Sequence, residues 1–435
     1  MTDSNSKGPE PKGVDFGRSL QELGKIVTGN ASAATIDLWE YQPDSGAPVR
    51  DAGDAVAKAL AGPIDFPPLE MVVVQGDRVA LAVDPNIPQL AEIVVGVVRA
   101  VSMTDAEHVD IVLSDEATDQ TLQAVNVALA DAILDKDATV HRHDSADRES
   151  LRYLGAGANA LPWYVNRQLV DADVVIPIVT KRPAETDDRI DATGIYPVFA
   201  DSATRHRFRD AKVFDEERET QSPEFQIPWL IGVQLMVTVA ANHDGMVRQV
   251  MAGAPQSLAI RRTDLDRDSD EFPPAAALVI ASTDGDAQQQ TWANAARAAV
   301  AASRFVRPGG TILVWTDIDV DPDPAFRQVL ESEGDHESLH ESSAAGEDDA
   351  ESLPPWDESI GIGMTFARVL ADNRVVMRSR LDAEVVETLG LGSLRSIDEL
   401  KRLIDSFENC GVLRGASFVA DAVAANHRSR IRHED

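Results

Sequence analysis

At 435 residues the chain exceeds one ordinary hydrophobic core, so two domains or slightly more are expected. A formal net charge of −33 repels phosphate backbones and anionic bilayers, which argues against nucleic acid and membrane as partners. No apolar run approaches the roughly 20 residues that span a bilayer, and a single cysteine, Cys410, excludes an internal disulfide or a Cys-based metal cluster.

Residues 1–20 are polar and rich in Pro and Gly and read as a disordered tail on a cytoplasmic protein. Gly24–Tyr41 and Pro43–Ala52 alternate without a clear motif, and Gly53–Leu60 is a helix of good formers. Arg78–Val83 is a short Val- and Ala-rich strand. It ends at Asp84-Pro85-Asn86-Ile87-Pro88, where two prolines stop both strand and helix. From Gln89 the apolar residues Leu90, Ile93, Val94, Val97 and Val98 recur at helical spacing. Strand, loop and helix open a βαβ unit, and ligands of open α/β sheets sit where such strands end. Asp84 and Asn86 are therefore the first candidate ligand-binding residues.

His108–Ser114 continues as a strand, Asp119–Leu134 as a helix and Thr139–Asp144 as a short polar strand. Leu161–Val170 reads as a helix, and Asp173–Val179 is an apolar run suited to a strand buried on both faces. Lys181–Thr220 is charged and long for a connection. Ile231–Ala241 and Met246–Ala252 flank Asn242-His243-Asp244-Gly245, a hairpin signal. Arg261–Pro273 is a polar linker, so a first domain is expected over 21–262 and a second over 274–422.

In the second, Ala275–Ser282, Thr311–Asp317, Arg374–Arg380 and Ser417–Val419 read as strands. Gln289–Phe305, Phe326–Glu333, Thr365–Ala371 and Ile397–Phe407 read as helices. Residues 333–358 are acidic and poor in apolar side chains, as in a disordered insertion, and 423–435 as a loose tail. Cys410 follows a helix and reads as packing. The alternation predicts an α/β fold with two mostly parallel sheets flanked by helices.

The order of these pieces resembles the nickel-dependent lactate racemase family from about Gly53 to Ala422. The resemblance rests on ALAGPIDFPPLE, RVALAVDPNIP, HDSADRESLRYLG, LPWYVNRQLVDADVVIPI, GVQLMVTVAANHDGMVRQVMAGAP, VIASTDGDAQQQTWANAARAA and FVRPGGTILVW. It implies two α/β domains with the active site in the cleft between them. It also implies a nickel pincer nucleotide held by a lysine and a histidine, with two further histidines as acid and base. Such chemistry needs an amine nucleophile, an imidazole ligand and groups that titrate near neutrality.

The sequence departs from that pattern. The family loop Asp-x-Thr-Arg-Pro is Asp84-Pro85-Asn86-Ile87-Pro88 here, with isoleucine for the arginine. Thr118 stands at the first acid/base histidine, with Asp115 and Glu116 added beside it. Ala184 replaces the second histidine. No lysine lies between Lys181 and Lys212, so the anchor is absent, and His206 fits the nickel-ligand spacing poorly. Gln290 matches the family's glutamine, and Arg297 stands for its lysine and could still contact an anion. Asp84, Asn86, Gln290 and Arg297 are thus the candidate ligand-binding residues; no cofactor or metal ligand is assigned.

His141 and His143 share a strand face but lack a third ligand, and a polar strand end is the simpler account. Lys181 and Arg182 are offset by Glu185, Asp187 and Asp188. His336 and His340 fall in the acidic insertion. Gly155-Ala156-Gly157 lacks a dinucleotide fingerprint, and neither a Walker A loop nor a Gly-x-Ser-x-Gly elbow is present. FVRPGGTILVW also resembles a late strand of S-adenosylmethionine methyltransferases, but no Asp-x-Gly-x-Gly loop precedes it. Two expectations remain: a racemase scaffold with degenerate motifs that holds a small 2-hydroxy acid or nucleotide, or an active 2-hydroxyacid racemase or epimerase with altered machinery.

Overall fold

The computed structural model describes residues 37–41, 46–132, 137–156, 161–180, 193–214, 226–258, 273–331 and 355–419. The tails, the linker after 258, most of the acidic insertion and residues 181–192 lie outside them. Lys181, Arg182, Ala184, Glu185, Asp187, Asp188, His336 and His340 are therefore not placed.

In chain order the elements are β1 (Asp37–Tyr41), α1 (Ala52–Ala61), β2 (Arg78–Val83), α2 (Leu90–Ser102), β3 (His108–Leu113), α3 (Asp119–Asp131) and β4 (Ala138–Arg142). There follow β5 (Leu151–Ala156), β6 (Pro162–Asn166), β7 (Val174–Thr180), α4 (Ser202–Phe214), β8 (Met236–Ala241) and β9 (Val247–Gly253). The second half holds β10 (Ala276–Ser282), α5 (Trp292–Ser303), β11 (Val306–Trp315), α6 (Pro324–Glu331) and α7 (Glu358–Asp372). It closes with β12 (Arg374–Arg378), α8 (Ala383–Thr388), β13 (Gly392–Ser393), α9 (Ile397–Asp405) and β14 (Asn409–Leu413).

Two six-stranded sheets result, ordered β4-β3-β2-β7-β8-β9 and β1-β14-β10-β11-β12-β13. The first is parallel except for the β8–β9 hairpin, and the second is parallel throughout. Each is buried on both faces. Val79, Leu81 and Val83 pack with Ile93, Val97 and Val101 of α2, while Ala80, Ala82 and Val112 face Trp163, Phe199 and Ile227. In the second sheet, Val279, Ile312 and Val314 meet α5, whose run of alanines lets it approach closely. Leu278, Ile280 and Leu313 meet Leu400 and Ile404 of α9.

Four readings need correction. Residues 162–166 form a strand, and only Arg167–Val170 turns helical. Trp163 and Val165 are buried while Pro162 and Tyr164 are less so, a period of two that the apolar run disguised as helix. Residues 416–418 are a 3-10 turn, not a strand. The segment β1 pairs in parallel with β14 and so belongs to the second sheet, although it precedes the first domain in sequence. Finally, residues 355–358 are placed, and α7 begins at Glu358, inside the stretch expected to be a disordered insertion. Cys410 lies wholly buried in β14, where burial pushes its thiol up to about 12.

Each sheet has one point where strand order reverses: between β2 and β7, and between β10 and β14. The second is filled by the turn of the β8–β9 hairpin. Gly245 (φ +72°) and Gly285 (φ +111°) lie back to back, so that a Cβ on Gly245 would sit 2.5 Å from the Gly285 Cα. Arg414 then bonds Asp244 of the hairpin (3.0 Å) and Asp284 of its own domain (3.1 Å).

Candidate functional site

The reversal point of the first sheet carries the Asp84–Pro88 loop. The Asp84 carboxylate accepts from the Asn86 backbone N–H (2.9 Å), an Asx turn that holds the loop tight after β2. Asn86 is buried, and its side-chain amide donates to Glu116 Oε1 (2.6 Å). Glu116 lies on the turn after β3, closed by the Ala117 N–H to the Ser114 carbonyl (3.0 Å).

Arg297 reaches the same carboxylate from α5 of the second domain. Its two terminal nitrogens lie 2.8 Å from Glu116 Oε1 and 2.9 Å from Oε2, a bidentate fork. Asn294 one turn earlier accepts from the fork (3.0 Å), which fixes its aim. The Gln289 side chain donates across the cleft to the Ile87 carbonyl (3.1 Å) and accepts from Asn294 (3.1 Å).

A second cluster adjoins the first. Arg205 of α4, almost wholly buried, pairs with Asp115 and with Glu358 (2.6 Å), the first residue of α7. Its guanidinium lies 4.7 Å over the Trp356 ring, and the Trp356 indole N–H donates to Glu358 (2.9 Å). Burial alone would lower the Arg205 pKa, but Asp115 and Glu358 more than offset it and the group stays charged. Burial, with Asp115 and Glu116 close by, raises the Glu358 carboxyl above the ordinary carboxylate value.

Of the four candidates, Asn86 and Arg297 meet on one carboxylate, and Asp84 is one hydrogen bond removed. Gln290 is elsewhere: its carbonyl accepts from Thr283 (3.0 Å), Thr316 (3.0 Å) and the Asp317 N–H (2.8 Å). It ties the ends of β10 and β11, while its neighbour Gln289 spans the cleft. Asp115 and Glu116 were visible as added carboxylates. Arg205, Trp356 and Glu358 carried no local signal.

The positions that the resemblance singles out make structural contacts here. Ile87 is fully buried in the first domain's core. Thr118 caps α3, its hydroxyl accepting from the Thr121 N–H (3.1 Å). His206 is buried and edge-on to Trp356, with ring centroids 5.3 Å apart. His141 bonds Asp110 (2.8 Å), whereas His143 is buried against the Ala200 carbonyl (3.0 Å), where burial holds it neutral. The two histidines thus have different partners.

Among the described residues, the donors a nickel pincer nucleotide needs are not gathered in the cleft. Among the described residues no group of three or more His, Cys, Asp or Glu side chains could hold a metal ion. Lysines with described side chains are Lys58 and Lys401, on α1 and α9. The Arg297 guanidinium, which could contact an anion, is already matched by Glu116.

Fold and cleft define a two-domain α/β protein with its polar groups gathered between the domains. Residues 33–180 match the family model of the lactate racemase N-terminal domain, ending at the last residue of β7. The lactate racemase apoprotein from Thermoanaerobacterium thermosaccharolyticum superposes with a TM-score of 0.64 at 14 % identity, over 87 % of this chain and 95 % of that one. A structural-genomics protein from Thermotoga maritima gives 0.58 at 12 % identity, over 85 % and 97 %. No curated protein matches the chain significantly. Residues 33–180 are thus similar to the N-terminal domain of that family, and the chain shares the fold of the apoprotein. No helix among the described residues is long and apolar enough to cross a membrane.

Proposed function

We propose that this protein keeps the racemase scaffold as a cleft for a small acidic ligand and does not run nickel-pincer 2-hydroxyacid racemisation. One observation carries the loss of racemisation. Arg297, which stands at the family's lysine and could contact an anion, already spends both terminal nitrogens on Glu116 of the other domain. A substrate carboxylate would have to displace a carboxylate held in the same bidentate geometry. The duties of Ile87 in the core and Thr118 as a helix cap support it, because neither side chain can take part in anion binding or proton transfer as placed.

The test is to co-express the chain with the enzymes that make the pincer cofactor. Nickel per protein and D/L-lactate interconversion are then measured. The expected result is substoichiometric nickel and no interconversion above background. Stoichiometric nickel with turnover would overturn the reading. The second reading, an active 2-hydroxyacid racemase or epimerase with altered machinery, has one observation in its favour. Glu358 holds a carboxyl with a raised pKa beside Asp115 in the cleft, as a proton donor would require.

A further inference from the structure

Two carboxylates share the Arg205 guanidinium. Asp115 reaches it from the turn after β3, and Glu358 (2.6 Å) from the start of α7 in the second domain. The neighbouring Arg297 is spent on Glu116 in its bidentate fork and lends this pair no charge. His143 lies close to Asp115 and Arg205 but is held neutral by burial. Asp357, next to Glu358, turns its carboxylate to the Ser359 N–H (2.9 Å), and His206 meets the Trp356 ring edge-on. With both carboxylates ionised, the group around Arg205 carries one negative charge in excess. The cost is visible: Asp115 Oδ1 is buried without a hydrogen-bond partner. Excess charge at such depth is expensive. The Glu358 side chain is 28 % exposed, against 6 % for Arg205, so water can deliver a proton to it.

We propose that packing the two domains together takes up one proton at the Asp115–Arg205–Glu358 cluster, so that the interdomain contact tightens as pH falls. Glu358 is the carrier because it crosses from the second domain to the first. When the domains part, it leaves Arg205, Asp115 and Glu116 for water. When they pack, burial, Asp115 and Glu116 outweigh Arg205, and its carboxyl titrates above the ordinary value of 4.5. A carboxyl raised in this way stabilises the packed state fully below the ordinary value, and the stabilisation is lost as pH rises through the raised one. The protonated carboxyl can still accept the Trp356 indole N–H (2.9 Å) through its carbonyl oxygen, and it brings an O–H donor to a cluster short of one. Trp356 shares the contact, since its backbone N–H donates across the domains to Ser202 Oγ (3.1 Å) and its ring covers Arg205. Neither nickel nor turnover enters this balance, so the proposal can fail while the results for racemisation stand.

The Trp356 amide is the readout, because its hydrogen bond spans the two domains. Its hydrogen-exchange protection, corrected for the intrinsic rate, is followed from about pH 8 to about pH 5 in wild type and in Glu358→Gln, which is neutral throughout and keeps the shape. Wild-type protection should rise as pH falls, by up to about tenfold per pH unit for one proton. Glu358→Gln should give a flat profile and be at least as protected as wild type at the alkaline end. A plain Arg205–Glu358 ion pair gives the opposite: the variant loses protection at the alkaline end, and wild type loses it in acid. Asp115→Asn leaves Arg205 a single carboxylate and should also flatten the rise; it takes the variant's place if Glu358→Gln does not accumulate as folded protein. Three results would overturn the proposal: wild-type protection that is level or falls with pH, a wild-type rise that persists in the variant, or a Glu358→Gln protein less protected than wild type at the alkaline end.

Discussion

Substituting Gly245 by alanine should prise the first domain's hairpin from the second domain. Its φ of +72° places a side chain in the left-handed region, which costs about 1–2 kcal/mol for a residue with a Cβ. The new Cβ would also lie 2.5 Å from the Gly285 Cα and N and 2.7 Å from the Asp284 carbonyl carbon, all backbone. No flexible side chain can yield, so the turn must retreat by most of an ångström. Overpacking of that kind adds about 1–3 kcal/mol. The retreat also draws Asp244 away from Arg414. Gly232 supplies the control: its φ is +78°, but nothing lies within 4 Å of the added Cβ. Gly232→Ala should cost only the backbone term, and Gly245→Ala about 2–5 kcal/mol altogether. Urea unfolding followed by tryptophan fluorescence compares them, and separation of the transition into two steps would show the domains uncoupled. If the two variants agree within about 0.5 kcal/mol, the back-to-back glycines do not hold the joint and the reasoning is wrong.

Thr118→Ala should lose about 1 kcal/mol through the missing α3 cap, read from chemical denaturation. Ile87→Val should cost about 0.5–1.5 kcal/mol, and Ile87→Arg should abolish soluble folded protein, because that position is core. Asp110 titrates below its ordinary value of 3.8: burial opposes ionisation, but the His141 hydrogen bond, the His108 and His141 charges and Arg78 outweigh it. Its folded pKa is depressed, so its stabilisation is present above the ordinary value and lost as pH falls through the folded one. Asp110→Asn should flatten that acid limb in stability measured between about pH 5 and pH 2, and an unchanged slope would refute the assignment. Cys410 should react with a thiol reagent only on unfolding, since its thiol is buried and pushed up to about 12.

The local grammar of the sequence exposed the β2–loop–α2 unit well. A short Val/Ala run, two prolines and a helical period each have one physical reading, and Asp84 and Asn86 lie where that reading puts them. Glu116 was visible as an added charge, but its partner was not, because Arg297 is brought to it only by the packing of one domain on another. Gln289 and Gln290 show the limit most clearly. They differ by one position, yet one crosses the cleft and the other ties two strand ends, a distinction set by the backbone turn before α5. Arg205 and Glu358 are far apart in the chain, and Glu358 lay in a stretch whose composition signals disorder. The pairing of β1 with β14 was equally hidden, since no local pattern encodes a partner so distant.

That pairing makes the first domain an insertion in the second. In the chain β1 precedes every strand of the first sheet, and its neighbour β14 follows them all. The second sheet therefore cannot close until β14 has emerged from the ribosome, whereas the first has its whole complement of strands by Gly253. Nascent-chain length should thus time their assembly, with the early strand waiting as an unmatched edge for its companion.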